Sequence, residues 1–181
     1  MAVPMISVVG KSDTGKTTLL EKLVAELKRR GYRVATVKHD THGFDIDRPG
    51  KDSWRHAQAG SDVVVISGPN RLALIEKRQQ EVTLNEIADR VTNVDIILTE
   101  GYKRGDRPKI EVSRREKSSE LLCTEDELIA IATDQPFDMN VPQFGLDDAA
   151  GLVDLIEERF LANPLDFEQG LLNLERLSHP R

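Results

Sequence analysis

The feature that most constrains the fold is a turn with two glycines and two lysines, which lies between a short apolar stretch and an amphipathic helix pattern. Ile6 to Val9 is mostly β-branched, as is typical of a buried strand in a parallel sheet. Leucines recur at helical spacing from Leu19 to Leu27, and Gly31 is a natural helix stop. Arg33 to Lys38 is a second strand pattern. Strand, helix and strand over about thirty residues form a βαβ unit, which implies a parallel sheet.

Residues 10–17, GKSDTGKT, match the phosphate-binding pattern G-x-x-x-x-G-K-[ST]. The glycines let the backbone approach a phosphate, and successive backbone N–H groups with the helix N-terminus behind them form an anion nest. Lys16 would place its charge on the β- and γ-phosphates, and the Thr17 hydroxyl can coordinate Mg²⁺. The sequence therefore predicts a nucleoside triphosphate site, formed by Gly10, Lys11, Ser12, Asp13, Thr14, Gly15, Lys16, Thr17 and Thr18.

Strand and helix patterns alternate along the rest of the chain. The further strands are predicted at Asp62–Ser67, Arg71–Glu76, Asp95–Thr99, Lys109–Ser113 and Leu128–Ala132, the second of them antiparallel to the first. The further helices are predicted at Lys51–Ala59, Thr83–Val91 and Asp147–Phe160. This alternation predicts a three-layer α/β domain over residues 1–161, a P-loop NTPase fold in which helices flank a mainly parallel sheet. Residues 162–181 form a separate C-terminal tail with some helical character.

Composition and charge limit the classes of function. The chain has 181 residues, of which 39% are hydrophobic and 31% charged, and it suits one soluble domain. The net charge of −6 argues against a nucleic-acid surface, and no apolar run approaches the ~18 residues that span a bilayer. The single cysteine, Cys123, is expected to be buried and unpaired. We therefore expect a cytoplasmic protein without nucleic-acid or membrane partners.

Two strand ends offer an acidic group for the Mg²⁺ that accompanies a bound nucleotide. Asp40 follows one strand, and Glu100 follows the apolar stretch DIILT. In a parallel sheet both lie at the carboxyl edge, where ligands bind. We expect Asp40, Glu100 and Thr17 to serve the metal or its water shell. His39, Asp40 and His42 could instead bind Zn²⁺, but no second His or Cys cluster supports this, and a polar loop is the preferred interpretation.

The last predicted strand of the sheet ends at Thr133-Asp134. A carboxylate at this rim suits the two donors that guanine presents at N1 and N2, so Asp134 is a candidate for base recognition. The usual N-K-x-D pattern is absent, and the alternative is a turn over Asp134-Gln135-Pro136.

Five positively charged side chains near the same rim can each be interpreted in two ways. Lys11 could reach the nucleotide of a second subunit, but an exposed and inert side chain is preferred. The arginines could form a lid over the phosphates, but a solvated charged loop is preferred; they are Arg104, Arg107, Arg114 and Arg115.

Four stretches in a fixed order carry a resemblance to a known family: GKSDTGKTTLLEKL, VKHDTHGFDIDRPGKDSWRHAQAG, DIILTEGYK with KIEV soon after, and IAIATDQP. Together they resemble the molybdopterin-guanine dinucleotide biosynthesis protein B family (MobB) over residues 5–160. The second stretch, with its D-x-D-x-P-G-K-D-S run, is more specific than the phosphate-binding loop, which many unrelated proteins share.

The resemblance implies a GTP-binding accessory protein of molybdenum cofactor biosynthesis. Such a protein has at most weak Mg²⁺-dependent GTPase activity, forms a homodimer and assists the enzyme that joins GMP to molybdopterin; contact with molybdopterin itself stays open. The family pattern then assigns the phosphates to Gly10–Thr18, Mg²⁺ to Asp40 and Glu100, and guanine to Asp134. Asp45–Ser53 would face the nucleotide or the partner.

Two other functions compete with this one. A P-loop small-molecule kinase would use the stretch Arg104–Arg115 as its lid and would transfer phosphate rapidly to a small acceptor. A metallochaperone GTPase would need a His-rich or Cys-x-Cys site, and with one cysteine and four histidines this chain fits that class least.

Overall fold

The computed structural model describes residues 3–41 and 43–161 of the chain. The described residues form two compact units. One unit comprises the residues before Asp40 and after Arg90, and the other comprises Asp40–Arg90. No helix in these parts of the chain is long and apolar enough to cross a bilayer. The predicted tail, residues 162–181, and His42 of the zinc hypothesis lie outside the described residues.

The structure contains the strands and helices that the sequence predicts, at similar positions. In chain order they are β1 (Met5–Val9), α1 (Lys16–Arg29), β2 (Val34–Lys38), α2 (Asp52–Gln58), β3 (Val63–Gly68), β4 (Arg71–Glu76), α3 (Leu84–Arg90), β5 (Ile96–Glu100), β6 (Lys109–Ser113), β7 (Leu128–Thr133), β8 (Gln143–Phe144) and α4 (Ala149–Ile156). A 3₁₀ turn at Glu125–Glu127 precedes β7, and a π-helical turn at Glu157–Leu161 extends α4.

The first unit is built on a six-stranded sheet with the order β2-β5-β1-β6-β7-β8, and each adjacent pair is parallel. The predicted α/β fold with a mainly parallel sheet is therefore confirmed. Because the strands run in the same direction, their carboxyl ends share one rim of the sheet. The register pairs Glu100 with Val8 of β1 and with Lys38 of β2, so the end of β5 lies beside the turn that follows β1.

One face of this sheet packs on α1 and α4. The leucines of α1 lie three or four residues apart and form one apolar stripe. They pack on alternate residues of β1, Ile6 and Val8, and all of these side chains are buried. α4 adds Leu152, Val153 and Ile156 to the same core.

On the other face of the sheet, side chains of β1 and β7 pack with residues of the loops that follow β6 and β7. Val9 and Ile131 pack there with Cys123, which is 7% exposed, as predicted for this residue. The buried Glu111 carboxylate accepts hydrogen bonds from the backbone amides of Leu122 (2.7 Å) and Cys123 (2.9 Å). These bonds satisfy the charge and hold the covering loop on the sheet.

The second unit contains α2, the β3–β4 hairpin and α3. β3 and β4 are antiparallel, as predicted, and they form a separate two-stranded sheet. A capping box begins α3, since the Thr83 amide donates to Glu86 Oε2 (2.9 Å) and the Glu86 amide donates to Thr83 Oγ1 (3.3 Å). This confirms the capping interpretation of that sequence.

Two elements differ from the predictions. The edge strand β8 was not predicted, because two residues are too short to produce an alternating pattern. The last helix was predicted from Asp147 but starts after Asp148, whose Oδ1 accepts the Gly151 amide at 2.9 Å. This N-cap sets the true start of α4.

Candidate functional site

The turn between β1 and α1 has a backbone that only glycine accommodates at two points. Gly10 has φ +148° and Gly15 has φ +97°. A Cβ at Gly10 would lie 2.5 Å from the Val112 carbonyl oxygen of β6, which excludes any larger residue. Asp13, also left-handed at φ +58°, has an exposed side chain. The packing of β6 against the turn explains the first glycine of the motif.

The N-terminus of α1 carries no side-chain cap. Gly15 stands at the N-cap position, and the first turn contains no acidic residue. The first amides of a helix have no intrahelical acceptor, and the helix dipole adds positive potential there. The start of α1 therefore offers free donors to an anion.

The Lys16 ammonium lies over the same turn. Its Nζ donates to the Lys11 carbonyl oxygen at 2.7 Å, and Thr14 Oγ1 donates to that oxygen at 3.0 Å. Burial lowers the pKa of Lys16 and nearby Lys103 lowers it further, while Glu100 opposes the shift. A phosphate in the turn would supply a charged acceptor in place of the neutral carbonyl.

Thr17 and Glu100 bring two oxygen ligands together. Thr17 Oγ1, in the first turn of α1, donates to Glu100 Oε1 at the end of β5 over 2.9 Å. Mg²⁺ prefers a few protein oxygens completed by water and phosphate oxygens, so a hydroxyl and a carboxylate at this separation fit it. Glu100 thus lies next to the motif, and its role toward the metal stays a prediction.

These groups surround one open pocket of about 480 Å³. Its lining consists of Ser12, Asp13, Gly15, Lys16, Thr17, Thr18 and Glu100. The structure thereby brings together most of the residues that the sequence assigns to the phosphates and the metal. Asp40 is the first residue of the second unit, and its role toward the metal stays a prediction.

Asp134 follows β7 at the same rim of the sheet and is exposed. Its Oδ1 accepts the backbone amide of Arg115 at 2.8 Å. Its Oδ2 has no hydrogen bond to the residues that the structure describes. The role of Asp134 toward a base stays a prediction.

Arg114 differs from the preferred sequence interpretation of a solvated loop. It is half-buried, and its Nε donates to the Thr14 carbonyl oxygen at 3.0 Å. A Cβ at Gly15 would lie 3.4 Å from Arg114 Nη2, so the guanidinium packs against residues 10–17, which we call the phosphate-binding turn after their predicted role. The sequence could not reveal this contact, because it depends on β6 being the neighbour of β1.

Lys11 also differs from the expectation of an exposed, inert side chain. It is half-buried, and its Nζ donates to Ser118 Oγ on the loop after β6. Its carbonyl accepts the Lys16 bond described above. Lys11 therefore fastens the phosphate-binding turn to a neighbouring loop of its own chain.

Comparison with known proteins agrees with this geometry. The sequence model of the MobB family, molybdopterin guanine dinucleotide synthesis protein B, matches residues 5–134. A molybdopterin-guanine dinucleotide biosynthesis adapter protein of Haemophilus influenzae is 35% identical over 157 residues, which covers 86% of this chain and 88% of the relative. The adapter protein of Escherichia coli is also 35% identical, over 162 residues, 86% of this chain and 93% of the relative.

Solved structures show the same architecture. The crystal structure of Bacillus subtilis MobB has a TM-score of 0.71 and 28% identity, and the match covers 88% of this chain and 99% of that one. A MobB homologue from Bacillus stearothermophilus has a TM-score of 0.65 and 27% identity, over 86% and 99% of the two chains. The family model, the sequence relatives and the shared fold show that this chain belongs to the MobB family.

Proposed function

We propose that this chain is the GTP-binding adapter of molybdopterin-guanine dinucleotide synthesis. The observation that carries the proposal is the pocket between α1 and β5, where helix amides, the Lys16 ammonium, the Thr17 hydroxyl and the Glu100 carboxylate face one another. This set of groups suits a Mg²⁺-bound triphosphate. The adapter role is the one named for the relatives from Haemophilus influenzae and Escherichia coli.

In the proposed complex, the amides at the start of α1 bind the β-phosphate and Lys16 binds the β- and γ-phosphates. Thr17 and Glu100 hold Mg²⁺ directly or through its water shell, and Asp40 serves the same metal. When bound, the ion neutralises part of the phosphate charge. Asp134 accepts from guanine N1 and N2, since a carboxylate oxygen can accept more than one hydrogen bond.

Hydrolysis by this chain is proposed to be slow. Fast P-loop hydrolases place a glutamine and an arginine at the γ-phosphate. The described residues that line the pocket include neither type. Arg114 is near the turn, but its Nε is bound to the Thr14 carbonyl oxygen. Slow turnover suits an adapter that signals by its nucleotide state, whereas rapid transfer of phosphate to a small acceptor would favour the kinase alternative.

The proposed adapter is a homodimer whose subunits meet at the β3–β4 hairpin. Large apolar side chains of this hairpin are exposed: Val63, Val65, Ile66, Leu72 and Leu74, at 45%, 54%, 43%, 72% and 57%. A sheet of only two strands is marginal in water, and exposed apolar patches mark interaction sites. A second copy of the hairpin is the occupant that this patch fits, because it would supply both further strands and matching apolar faces.

The further partner is the guanylyltransferase that joins GMP to molybdopterin, and the proposed compartment is the cytoplasm.

The test is calorimetric titration of GTP, GDP and ATP with Mg²⁺, with and without the transferase and molybdopterin. We expect GTP to bind more tightly than ATP, and the transferase to form more dinucleotide with the GTP-loaded chain. Phosphate transfer to a small acceptor, or equal binding of GTP and ATP, would contradict the proposal.

A further inference from the structure

The loop that leaves β6 contacts both parts of the candidate nucleotide site. We call residues Arg114–Ser118 the bridging turn. It is a closed turn, since the amides of Lys117 and Ser118 donate to the Arg114 carbonyl oxygen at 2.9 and 3.0 Å. It begins directly after the last residue of β6, Ser113, which is buried. One end of the turn is therefore held by the sheet.

Two side-chain contacts join the bridging turn to the phosphate-binding turn. Arg114 Nε donates to the Thr14 carbonyl oxygen at 3.0 Å, and the guanidinium packs beside Gly15. In the second contact the phosphate-binding turn supplies the donor, because Lys11 Nζ donates to Ser118 Oγ. These two hydrogen bonds restrain the position of the bridging turn relative to the phosphate-binding turn.

Three further contacts join the bridging turn to the loop after β7. The Arg115 amide donates to Asp134 Oδ1 at 2.8 Å, and its guanidinium reaches the Asp134 carbonyl oxygen at 3.4 Å. Gln135 Nε2 donates to the Ser118 carbonyl oxygen at 2.6 Å. The bond from the Arg115 amide orients the Asp134 carboxylate and leaves Oδ2 for another donor.

We infer that the bridging turn positions Asp134 relative to the phosphate-binding turn, and that Arg114 is thereby a positioning residue for selection of the nucleobase. Arg114 contacts Thr14 of the phosphate-binding turn. Its neighbour Arg115 binds the carboxylate of Asp134, the candidate for base recognition. A carboxylate discriminates guanine only when it lies at the correct distance from the phosphates, because the triphosphate fixes where the base edge falls. This inference rests on the proposed binding of GTP.

The test uses the full chain and three ligands with Mg²⁺: GTP, ATP and inorganic triphosphate. Affinities are measured by calorimetry for the wild type, Arg114→Ala, Asp134→Asn and the double variant. Arg114→Ala should lower the ratio of GTP to ATP affinity about five- to tenfold, comparable to the loss of one hydrogen bond. In the Asp134→Asn background, Arg114→Ala should leave that ratio unchanged, because both changes act through one carboxylate.

A second variant keeps the test valid if Arg114→Ala fails to fold. Gln135→Ala removes one of the three hydrogen bonds between the bridging turn and the β7 loop and leaves the phosphate-binding turn untouched. It should lower the GTP to ATP ratio and leave the affinity for inorganic triphosphate unchanged. Arg29→Ala is the control for charge, because it removes an arginine that is 70% exposed at the far end of α1.

Two results would overturn the inference. If Arg114→Ala weakens GTP, ATP and inorganic triphosphate by the same factor, Arg114 supplies only charge to the phosphates. If the variants lower the ratio additively, Arg114 acts independently of Asp134. A wild type that binds GTP and ATP equally contradicts the proposed function instead, and removes the inference with it.

Discussion

Thr17 Oγ1 donates a 2.9 Å hydrogen bond to Glu100 Oε1 and so joins the first turn of α1 to the carboxyl end of β5. The two residues are 83 positions apart in the chain. Their meeting depends on the sheet order, which places β5 directly beside β1. A hydroxyl and a carboxylate brought together this way, beside the Lys16 ammonium, are the chemical basis of the proposed Mg²⁺–triphosphate site.

Lys16→Ala should abolish tight binding of GTP. The variant loses the point charge and its charge-assisted bonds to the phosphates, which together correspond to about a 100-fold loss of affinity. Calorimetric titration of GTP measures the effect. Lys28→Ala, which removes a lysine from the last turn of the same helix, should bind GTP normally. Unchanged affinity in Lys16→Ala would show that the phosphates bind elsewhere.

Glu100→Gln should reduce the dependence of GTP binding on Mg²⁺. The amide keeps the size of the side chain and its bond to Thr17, but it loses the charge that attracts the cation. We expect the gain in affinity on adding Mg²⁺ to fall about tenfold relative to binding in EDTA. Glu21→Gln, on an exposed position of α1, is the matched control. An identical Mg²⁺ effect in both variants would remove Glu100 from the metal site.

Leu74→Lys should separate the proposed dimer. Leu74 is 57% exposed and pairs across the hairpin with Val65, so a lysine there places a charge inside the proposed interface. The dimer dissociation constant should rise at least about tenfold, as measured by sedimentation equilibrium. Leu122→Lys, at another exposed leucine (42%), should leave the mass unchanged. A wild type that sediments as a single chain would contradict this interface.

Arg30→Ala should lower the melting temperature more than Arg29→Ala. The Arg30 side chain is 16% exposed, and it binds Glu26, Asp154, Glu157 and the Ala150 carbonyl oxygen, so it joins α1 to α4. Among the residues that the structure describes, Arg29 forms hydrogen bonds only to Glu26, and its side chain is 70% exposed. The difference should be a few degrees in a thermal scan at pH 7. Equal melting temperatures would show that this network of ion pairs is solvated and contributes nothing to the stability of the fold.

The same network predicts a pH dependence. Hydrogen bonds from Arg29 and Arg30 lower the pKa of Glu26 from 4.5 to about 2. Between these values the unfolded chain binds more protons than the folded one, so stability falls as the pH falls through this window. The decline should be shallower in Arg30→Ala. Matching slopes of unfolding free energy against pH would contradict the role of Arg30 in this shift.

Cys123 should resist thiol reagents in the folded protein. Burial raises the pKa of this thiol to about 12, and the nearby Glu111 charge adds to the effect. Almost no thiolate is then present between pH 7 and 9. Labelling by a chromogenic disulfide should be slow across this range and complete within the mixing time in denaturant. Rapid labelling of the native protein would show that the loop covering Cys123 opens easily.

The local pattern of the sequence was sufficient to predict the phosphate-binding turn and most of the elements. Glycine spacing, a β-branched strand and a leucine stripe act within one segment, so β1, α1 and the capping box at Thr83 and Glu86 follow from near neighbours alone. The burial of Cys123 likewise follows from residue type and surroundings.

Only the tertiary structure decided which strand ends become neighbours. The order β2-β5-β1-β6-β7-β8 sets Glu100 beside Thr17 and Arg114 beside Thr14, and no local pattern encodes that order. Because the strand order cannot be read from the local sequence, Arg114 and Lys11 were expected to be solvated. A long polar side chain has no preferred partner until packing brings an acceptor within reach, and the acceptors here lie about one hundred residues away.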